Sequence, residues 1–212
     1  KSKEISVSIY ILCENKFILI SFDVKKLIKP GMSNSSLIVC KYLPDSNEEI
    51  VRQVELTYND AFPLVERRDF VDVVYLLRAE KRFNLELIMH SNKYVGFITW
   101  WDFDSFVYIE HFAIDEKHRN GGYGGKALSL FLQILKRMVV LEVEPPLDRI
   151  TISRISFYKR NGFHYHTFPY KQPPYRPEDP MLPMSFMTFG YDDSIDLETI
   201  KQTIYKHVYR WS

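Results

Sequence analysis

The residues best suited to chemistry form one run, Arg119-Asn120-Gly121-Gly122-Tyr123-Gly124-Gly125, followed by Lys126. Its glycines let successive backbone N–H groups turn into a single concavity, and they let an anion reach the main chain without meeting a Cβ. An apolar stripe at helical spacing, Leu128, Phe131, Leu132, Leu135 and Met138, begins directly afterwards. The start of that helix adds partial positive charge, worth ~0.3–2 kcal/mol per favourable anion contact. Arg119 and Lys126 supply mobile cationic cover, and a pyrophosphate suits the whole. A dinucleotide fold would need Gly-x-Gly-x-x-Gly in an early strand–helix–strand unit, with an acidic residue about 20 positions on. Here the turn follows an antiparallel series of strands, which disfavours that site. A Walker loop would need Gly-Lys-Ser/Thr, and Lys126 is followed by Ala127.

The elements that must hold this turn can be read outwards from it. Residues 37–43 predict a strand ended by Pro44, and Asp45 or Ser46 caps a helix whose face carries Ile50, Val54, Tyr58 and Ala61. Phe70, Val73, Val74 and Leu77 predict a second helix. The period then changes. Segments 85–90, 94–103 and 106–114 are rich in β-branched and aromatic residues, and Ser91-Asn92 and Asp104-Ser105 between them suit tight turns. Residues 139–143 form an apolar strand after the glycine-led helix, and the crossover makes the two flanking strands parallel. A helix over 150–159 stops at Asn161-Gly162, strands follow over 163–170 and 183–189, and a proline-rich loop, 172–180, lies between them. Asp196 caps a last helix with Ile200, Ile204 and Val208 on its face. The fold class is α/β (α+β), a mixed central sheet flanked by helices, in a single domain over 37–212.

Residues 1–36 stand outside that domain as an N-terminal extension. Either residues 1–31 are a dispensable addition, with Met32 as the start, or residues 5–11 and 17–22 pair as a hairpin around Glu14-Asn15. The apolar run there is broken by charge and falls short of the roughly 20 residues of a membrane span. No membrane association is expected. Cys13 and Cys40 stand far apart, which fits a reducing, cytoplasmic setting. Basic and acidic side chains, 28 against 27, leave a net charge of +1 and no electrostatic footprint for nucleic acid. His111, His164 and His166 have no metal-ligand spacing, so no metal is expected.

Arg119-x-x-Gly122-x-Gly124 resembles the Arg/Gln-x-x-Gly-x-Gly/Ala signature of the GNAT N-acetyltransferases, and it follows the strand end Phe112-Ala113-Ile114 as in that family. Phe157-Tyr158-Lys159-Arg160-Asn161-Gly162-Phe163 is similar to the family's Phe-Tyr-x-x-x-Gly-Phe block. The likeness spans residues 37–190. It departs at Thr151 and Arg154, where the family often has Asn and Ala. The resemblance implies acetyl-CoA as co-substrate, with the backbone of Phe112, Ala113 and Ile114 along the pantetheine arm. Amides from Arg119 to Gly125, with Lys126, would hold the pyrophosphate. Tyr158 would protonate the leaving thiolate, and Glu110 would take the proton of an attacking ammonium, directly or through water. Strand alternation puts Tyr108, Glu110 and Phe112 on one face. The acceptor would be a small-molecule or peptide amine, and a homodimer is compatible with the sequence. A non-catalytic acyl-CoA sensor and an interaction module are the alternatives. The pairing of Glu110 with Tyr158 favours the enzyme, because a sensor needs no proton-transfer groups.

Overall fold

In the computed structural model, which describes residues 6–13, 16–23, 37–42, 48–191 and 195–211, the first two strands are a hairpin. β1 (Ser6–Cys13) and β2 (Lys16–Asp23) run antiparallel, with Cys13 opposite Lys16. β1 also pairs with β3 (Leu37–Lys41), so the hairpin continues the main sheet past its first domain strand. The hairpin alternative for this segment therefore describes its backbone, with strands slightly displaced from 5–11 and 17–22. Pro44, the Asp45 or Ser46 cap and Met32 lie outside the described residues.

α1 (Glu48–Ala61) carries Glu48 and Glu49 in its first turn, where the helix dipole favours acidic side chains. A short 3₁₀ turn (Leu64–Glu66) leads to α2 (Phe70–Ala79). β4 (Phe83–His90), β5 (Lys93–Asp102) and β6 (Val107–Ile114) then form the antiparallel series. Ser91 and Asn92 join the first two with φ of 50° and 61°, the positive values that a two-residue hairpin turn with the right twist requires. After the glycine turn come α3 (Tyr123–Leu135) and β7 (Val139–Val143), and β7 lies parallel to β6. Lys136 ends α3 in the left-handed region, so it caps the helix rather than extending it.

α4 (Arg149–Arg160) opens with a reciprocal cap. The Thr151 amide donates to Asp148 Oδ1 at 2.8 Å, and the Asp148 amide donates to Thr151 Oγ1 at 3.1 Å. Thr151, one of the two departures from the family pattern, is thus used to start the helix. The strand expected over 163–170 is divided: β8 (His164–Tyr165) and β9 (Tyr170–Gln172) both pair with β10 (Leu182–Phe189), separated by a segment containing Pro169, which has no N–H to donate. α5 (Leu197–Ile204) is capped by Asp196, whose carboxylate accepts from the Thr199 amide at 2.7 Å, and it runs into a π turn (Tyr205–Tyr209).

The sheet order is β2-β1-β3-β4-β5-β6-β7-β10-β8, with β9 on the far part of β10. Two apolar layers cover it. One packs Tyr58, Val73, Phe97, Trp101, Tyr108 and Ile204 beneath α1, α2 and α5, and the other packs Ile98, Trp100, Ile109, Leu128, Phe131 and Ile155 beneath α3 and α4. Each such side chain contributes ~1.5–3 kcal/mol before its ordering entropy is subtracted. The adjacent Trp100 and Trp101 fall on opposite faces, as strand alternation requires. Among the described residues no helix is long and apolar enough to cross a membrane.

Candidate active site

β6 and β7 share a seam of three rungs: Val107 with Val139, Tyr108 with Val140, and Ile109 with Leu141. Beyond Ile109 and Leu141 the strands part, and a cavity of about 590 Å³ opens between them. It runs from the glycine turn at one end to Glu110, Glu142, Tyr175 and Tyr209 at the other, with Phe157 and Tyr158 of α4 along its side.

At the first end Asn120 and Gly122 both take left-handed backbone, with φ of 66° and 73°. Two such residues flanking Gly121 curl the turn into a concave nest. Gly122 is the N-cap of α3 and offers no side chain to the helix's first amides. A Cβ built on it would meet nothing within 4 Å, so the space above the turn is open to a ligand anion. An anionic pyrophosphate fits this main-chain cradle. Gly121 is needed for a different reason, since a Cβ there would lie 2.7 Å from the ring of Tyr123. Arg119 donates to the carbonyl of Ile114 at 3.0 Å and pairs with Asp60 at 2.7 Å, so the guanidinium is held at the cavity mouth. Phe112, Ala113, Ile114, Arg119, Asn120, Gly122, Tyr123, Gly124 and Gly125 all line the cavity; Gly121 and the exposed Lys126 stand outside its lining.

The other end turns on a bulge. Thr99 pairs with His111 and Trp100 with Ile109, which leaves Glu110 as the extra residue of β6. Glu110 and His111 therefore project to the same face. Phe112 moves to the opposite one, where its ring lies 6.4 Å from Phe157. The expectation that Tyr108, Glu110 and Phe112 share a face fails at Phe112, because simple alternation assumes a one-to-one pairing that the bulge breaks.

Glu110 is almost wholly buried, its side chain 1% exposed. Its carboxylate accepts from Arg68 Nε at 3.0 Å, Trp101 Nε1 at 2.8 Å and the Tyr175 hydroxyl at 2.9 Å. Its ionic partner is Arg68. Burial pushes this carboxyl upward, but Arg68, with His111, Trp101 and Tyr175, outweighs burial and holds it below its ordinary value. Arg68 is itself anchored, donating to the Val208 carbonyl at 2.6 Å and lying 4.6 Å from the Tyr175 ring. His111 is lowered below its usual range, chiefly by burial. Its Nε2 is 3.2 Å from the Glu66 carbonyl, which can only accept, so the neutral ring carries its proton there. Nδ1 faces the Thr99 hydroxyl at 3.2 Å. Both nitrogens are engaged, and His111 has no lone pair to offer a substrate.

Tyr158 stands between Phe157 and Phe163, with ring centroids 5.2 and 5.5 Å away. Burial pushes its hydroxyl up to about 12, so it stays protonated at neutral pH. Arg154, the second departure from the family pattern, pairs with Glu144 at the cavity rim.

Four residues of this end carry little or no sequence signal for it. Arg68 sits in a link between helices, and Tyr175 in the proline-rich loop. Tyr209 arrives from the C-terminal turn. Glu142 alone leaves a trace, as the one charge in Val139-Val140-Leu141-Glu142-Val143.

Comparison with known proteins was consistent with this geometry. Residues 50–163 match the model of the acetyltransferase (GNAT) family. A solved structure from Bacteroides thetaiotaomicron, described as an acetyltransferase of the GNAT family, is 37% identical over 77% of this chain and 94% of its own, with a TM-score of 0.74. Ard1 from Thermoplasma volcanium shares the fold at 22% identity, covering 72% of this chain and 95% of its own, with a TM-score of 0.53. The ribosomal-protein-S18-alanine N-acetyltransferase of Escherichia coli does so at 14% identity, over 76% and 99% of the two chains, with a TM-score of 0.52. No curated protein matches the sequence.

Proposed function

The chain belongs to the GNAT acetyltransferase family, and from that premise we propose that it moves an acetyl group from acetyl-CoA to a primary amine by direct attack within one cavity. The observation that carries this reading is the parting of β6 and β7, which joins an anion cradle to a pair of carboxylates through a single opening.

The amides from Asn120 to Gly125, with Lys126 as outer cover, hold the pyrophosphate; the Arg119 amide is donated to the Glu116 carbonyl at 3.2 Å, so Arg119 contributes its guanidinium alone. Beyond Ile109 the β7-facing edge of β6 has no strand partner among the described residues. Backbone groups of Phe112, Ala113 and Ile114 along that edge would pair with the pantetheine arm. Its thioester end then points through the fork toward Glu110. An amine is protonated at neutral pH and attacks only after losing that proton, so a carboxylate must receive it. Glu110 supplies negative charge that draws the ammonium in, and it takes the proton directly or through a water between them. As the nitrogen–carbon bond forms and the carbon–sulfur bond breaks, Tyr158 gives its proton to the departing sulfur and regains one from the acylated nitrogen. The acceptor is a small-molecule or peptide amine. We assign this chemistry to residues 37–212, with 1–36 as an extension. A chain starting at residue 37 that lost its response to CoA would refute that division.

The test is CoA release from acetyl-CoA over a panel of primary amines, preceded by a thermal melt with CoA, which stabilises a protein that binds it only when folded. Tyr158→Phe is expected to lower kcat about 10–10³-fold with acetyl-CoA affinity nearly unchanged. Full turnover in that variant would remove Tyr158 from the mechanism.

A further inference from the structure

Among the described residues, five carboxylates line the cavity: Asp60, Glu66, Glu110, Glu142 and Glu144. Asp60 pairs with Arg119, Glu110 with Arg68 and Glu144 with Arg154. Glu142 accepts from the hydroxyls of Tyr170 and Tyr209. Glu66 differs: its half-buried carboxylate has no hydrogen bond or ion pair among the described residues. The reason is local, because the guanidiniums in and against its turn are all engaged elsewhere. Arg67 donates to the Phe62 carbonyl at 3.0 Å, and Arg68 donates to Glu110. Arg176 donates to the Leu64 carbonyl at 2.9 Å and pairs with Asp69 and Asp179. The backbone of Glu66 is anchored meanwhile, its amide donating to the Pro63 carbonyl at 2.9 Å and its carbonyl facing His111 Nε2 at 3.2 Å. A fixed main chain thus holds a bare carboxylate in the cavity wall. A second polar group is equally bare. Gln172 of β9 is 4% exposed and lines the same cavity, and its carboxamide has no partner among the described residues. Tyr170 and Tyr175, on either side of it in sequence, reach Glu142 and Glu110, so Gln172 lies at the reacting end. The Tyr175 ring stacks 6.3 Å from His111, which in turn holds the Glu66 carbonyl. Glu66 and Gln172 therefore share the half of the cavity that carries the paired carboxylates.

We propose that the acceptor is a primary amine carrying a second positive charge, with Glu66 as the seat of that charge and Gln172 as hydrogen-bond acceptor for the nitrogen that is acetylated. The chemistry follows from what each group lacks. A partly buried carboxylate without a counter-ion is stabilised by a cation, and an ammonium or guanidinium supplies both charge and N–H donors. Burial raises the Glu66 carboxyl above its ordinary value, and the charge of Arg154 opposes that rise. Arg154 is itself held by Glu144, so it does not take the place of a partner. An acceptor that is neutral beyond its reacting nitrogen would displace water from Glu66 and leave the charge unanswered. An acceptor with a carboxylate there would be repelled. The Gln172 carbonyl oxygen accepts from an amine N–H, which aligns the nitrogen beside Glu110 and Glu142. Chemistry at that nitrogen is unchanged: its bond to the acetyl carbon forms, the carbon–sulfur bond breaks, and CoA leaves. The second cation keeps its protons throughout and takes part only in binding.

This assignment rests on the acetyl-transfer reading and names the class of acceptor within it. Its test is steady-state acetylation of matched pairs by the full chain. One series sets α,ω-diamines against monoamines of the same length. The other sets short peptides with lysine after the N-terminal residue against the same peptides with norleucine there. In one series kcat/KM is expected to favour the doubly charged member by about 10–10²-fold, the worth of one charge-assisted hydrogen bond. The series that shows the preference identifies the source of the second charge, a free diamine or a basic peptide. Glu66→Gln, which keeps the size and removes the charge, should raise KM for that member by a similar factor with kcat little changed, and the preference should fall toward one. Glu66→Asp should restore part of it. Gln172→Leu should lower kcat/KM for charged and uncharged members alike. The melt shift with CoA should persist in all these variants, which separates a lost contact from a lost fold. Equal use of both members by the wild type in both series, or a preference that survives Glu66→Gln, overturns the assignment and leaves the acetyl-transfer reading standing. A protein that binds CoA and acetylates no amine in either series refutes both.

Discussion

At one end of the cavity, the proposed anion cradle is built from consecutive main-chain groups, Asn120 to Gly125; at the other, side chains from five separate stretches between Arg68 and Tyr209 converge on two carboxylates. The first end is open, and its ion pair of Arg119 with Asp60 has both side chains more than 40% exposed. Such a pair is worth little once water screens it. The second end is buried, and nearly every polar atom there has a named partner. The difference is one of coupling. An anion cradle made of backbone tolerates changes in side-chain identity and is vulnerable mainly to added bulk. A buried side-chain network couples chemistry to stability, so that no member can be changed without disturbing both.

The sharpest way to break this comparison is Arg68→Leu. It strands the Glu110 charge in a buried site, and losing one member of a buried pair costs about 3–5 kcal/mol. A fall in Tm of many degrees is expected together with loss of activity. Denaturant unfolding within about 1 kcal/mol of wild type would show that the network is not coupled. Gly122→Asn probes the other end. Asparagine tolerates the left-handed backbone at this position, where φ is 73°. Its side chain would occupy the open space above the turn. Weakening of CoA binding by about tenfold or more, roughly 1.4 kcal/mol, is expected with Tm nearly unchanged in the absence of ligand. Unaltered affinity by calorimetry would move the pyrophosphate elsewhere.

The smallest effect isolates burial from function. Glu86 on β4 pairs with Ile98 across the strand and is raised to about 7, mainly by burial, with Lys41 acting against it. It lies outside the cavity lining. Because its folded value is above the unfolded one, its protonated form stabilises the fold below about pH 4.5, and that contribution is lost as pH rises through about 7. Glu86→Gln should therefore gain on the order of 1 kcal/mol over wild type at pH 8 and nothing at pH 4.5, with turnover intact. Melts at the two pH values that show no such difference would place Glu86 in contact with solvent.

Much of this was legible in the sequence, for reasons that sort the same way. The glycine turn, the crossover to a parallel strand, the Ser91-Asn92 hairpin and the stop at Asn161-Gly162 are all set by neighbours along the chain. Gly162 is a case in point: its φ is 87°, a conformation that favours glycine where the helix stops. Arg68 reaches Glu110 across 42 positions, Tyr175 reaches it across 65, and Tyr209 reaches Glu142 across 67. Periodicity carries no record of such meetings. Nor does it record the bulge, which depends on how β5 lies against β6 and so displaced the reading of Phe112. Glu142 was visible as a lone charge in an apolar strand, but its meaning depended on the tyrosines around it.

The bulge in β6 has one more implication. Tyr108 and Ile109 alternate between the faces, and so do His111 and Phe112; Glu110 is interposed between the two pairs without altering the phase of either. A strand lacking Glu110 would still send each of its other residues to the layer it now occupies. The carboxylate is therefore modular with respect to the fold, a single inserted position on a strand whose apolar pattern is complete without it. Selection could change the residue there without shifting the register of the sheet, provided that the buried Arg68 keeps a partner.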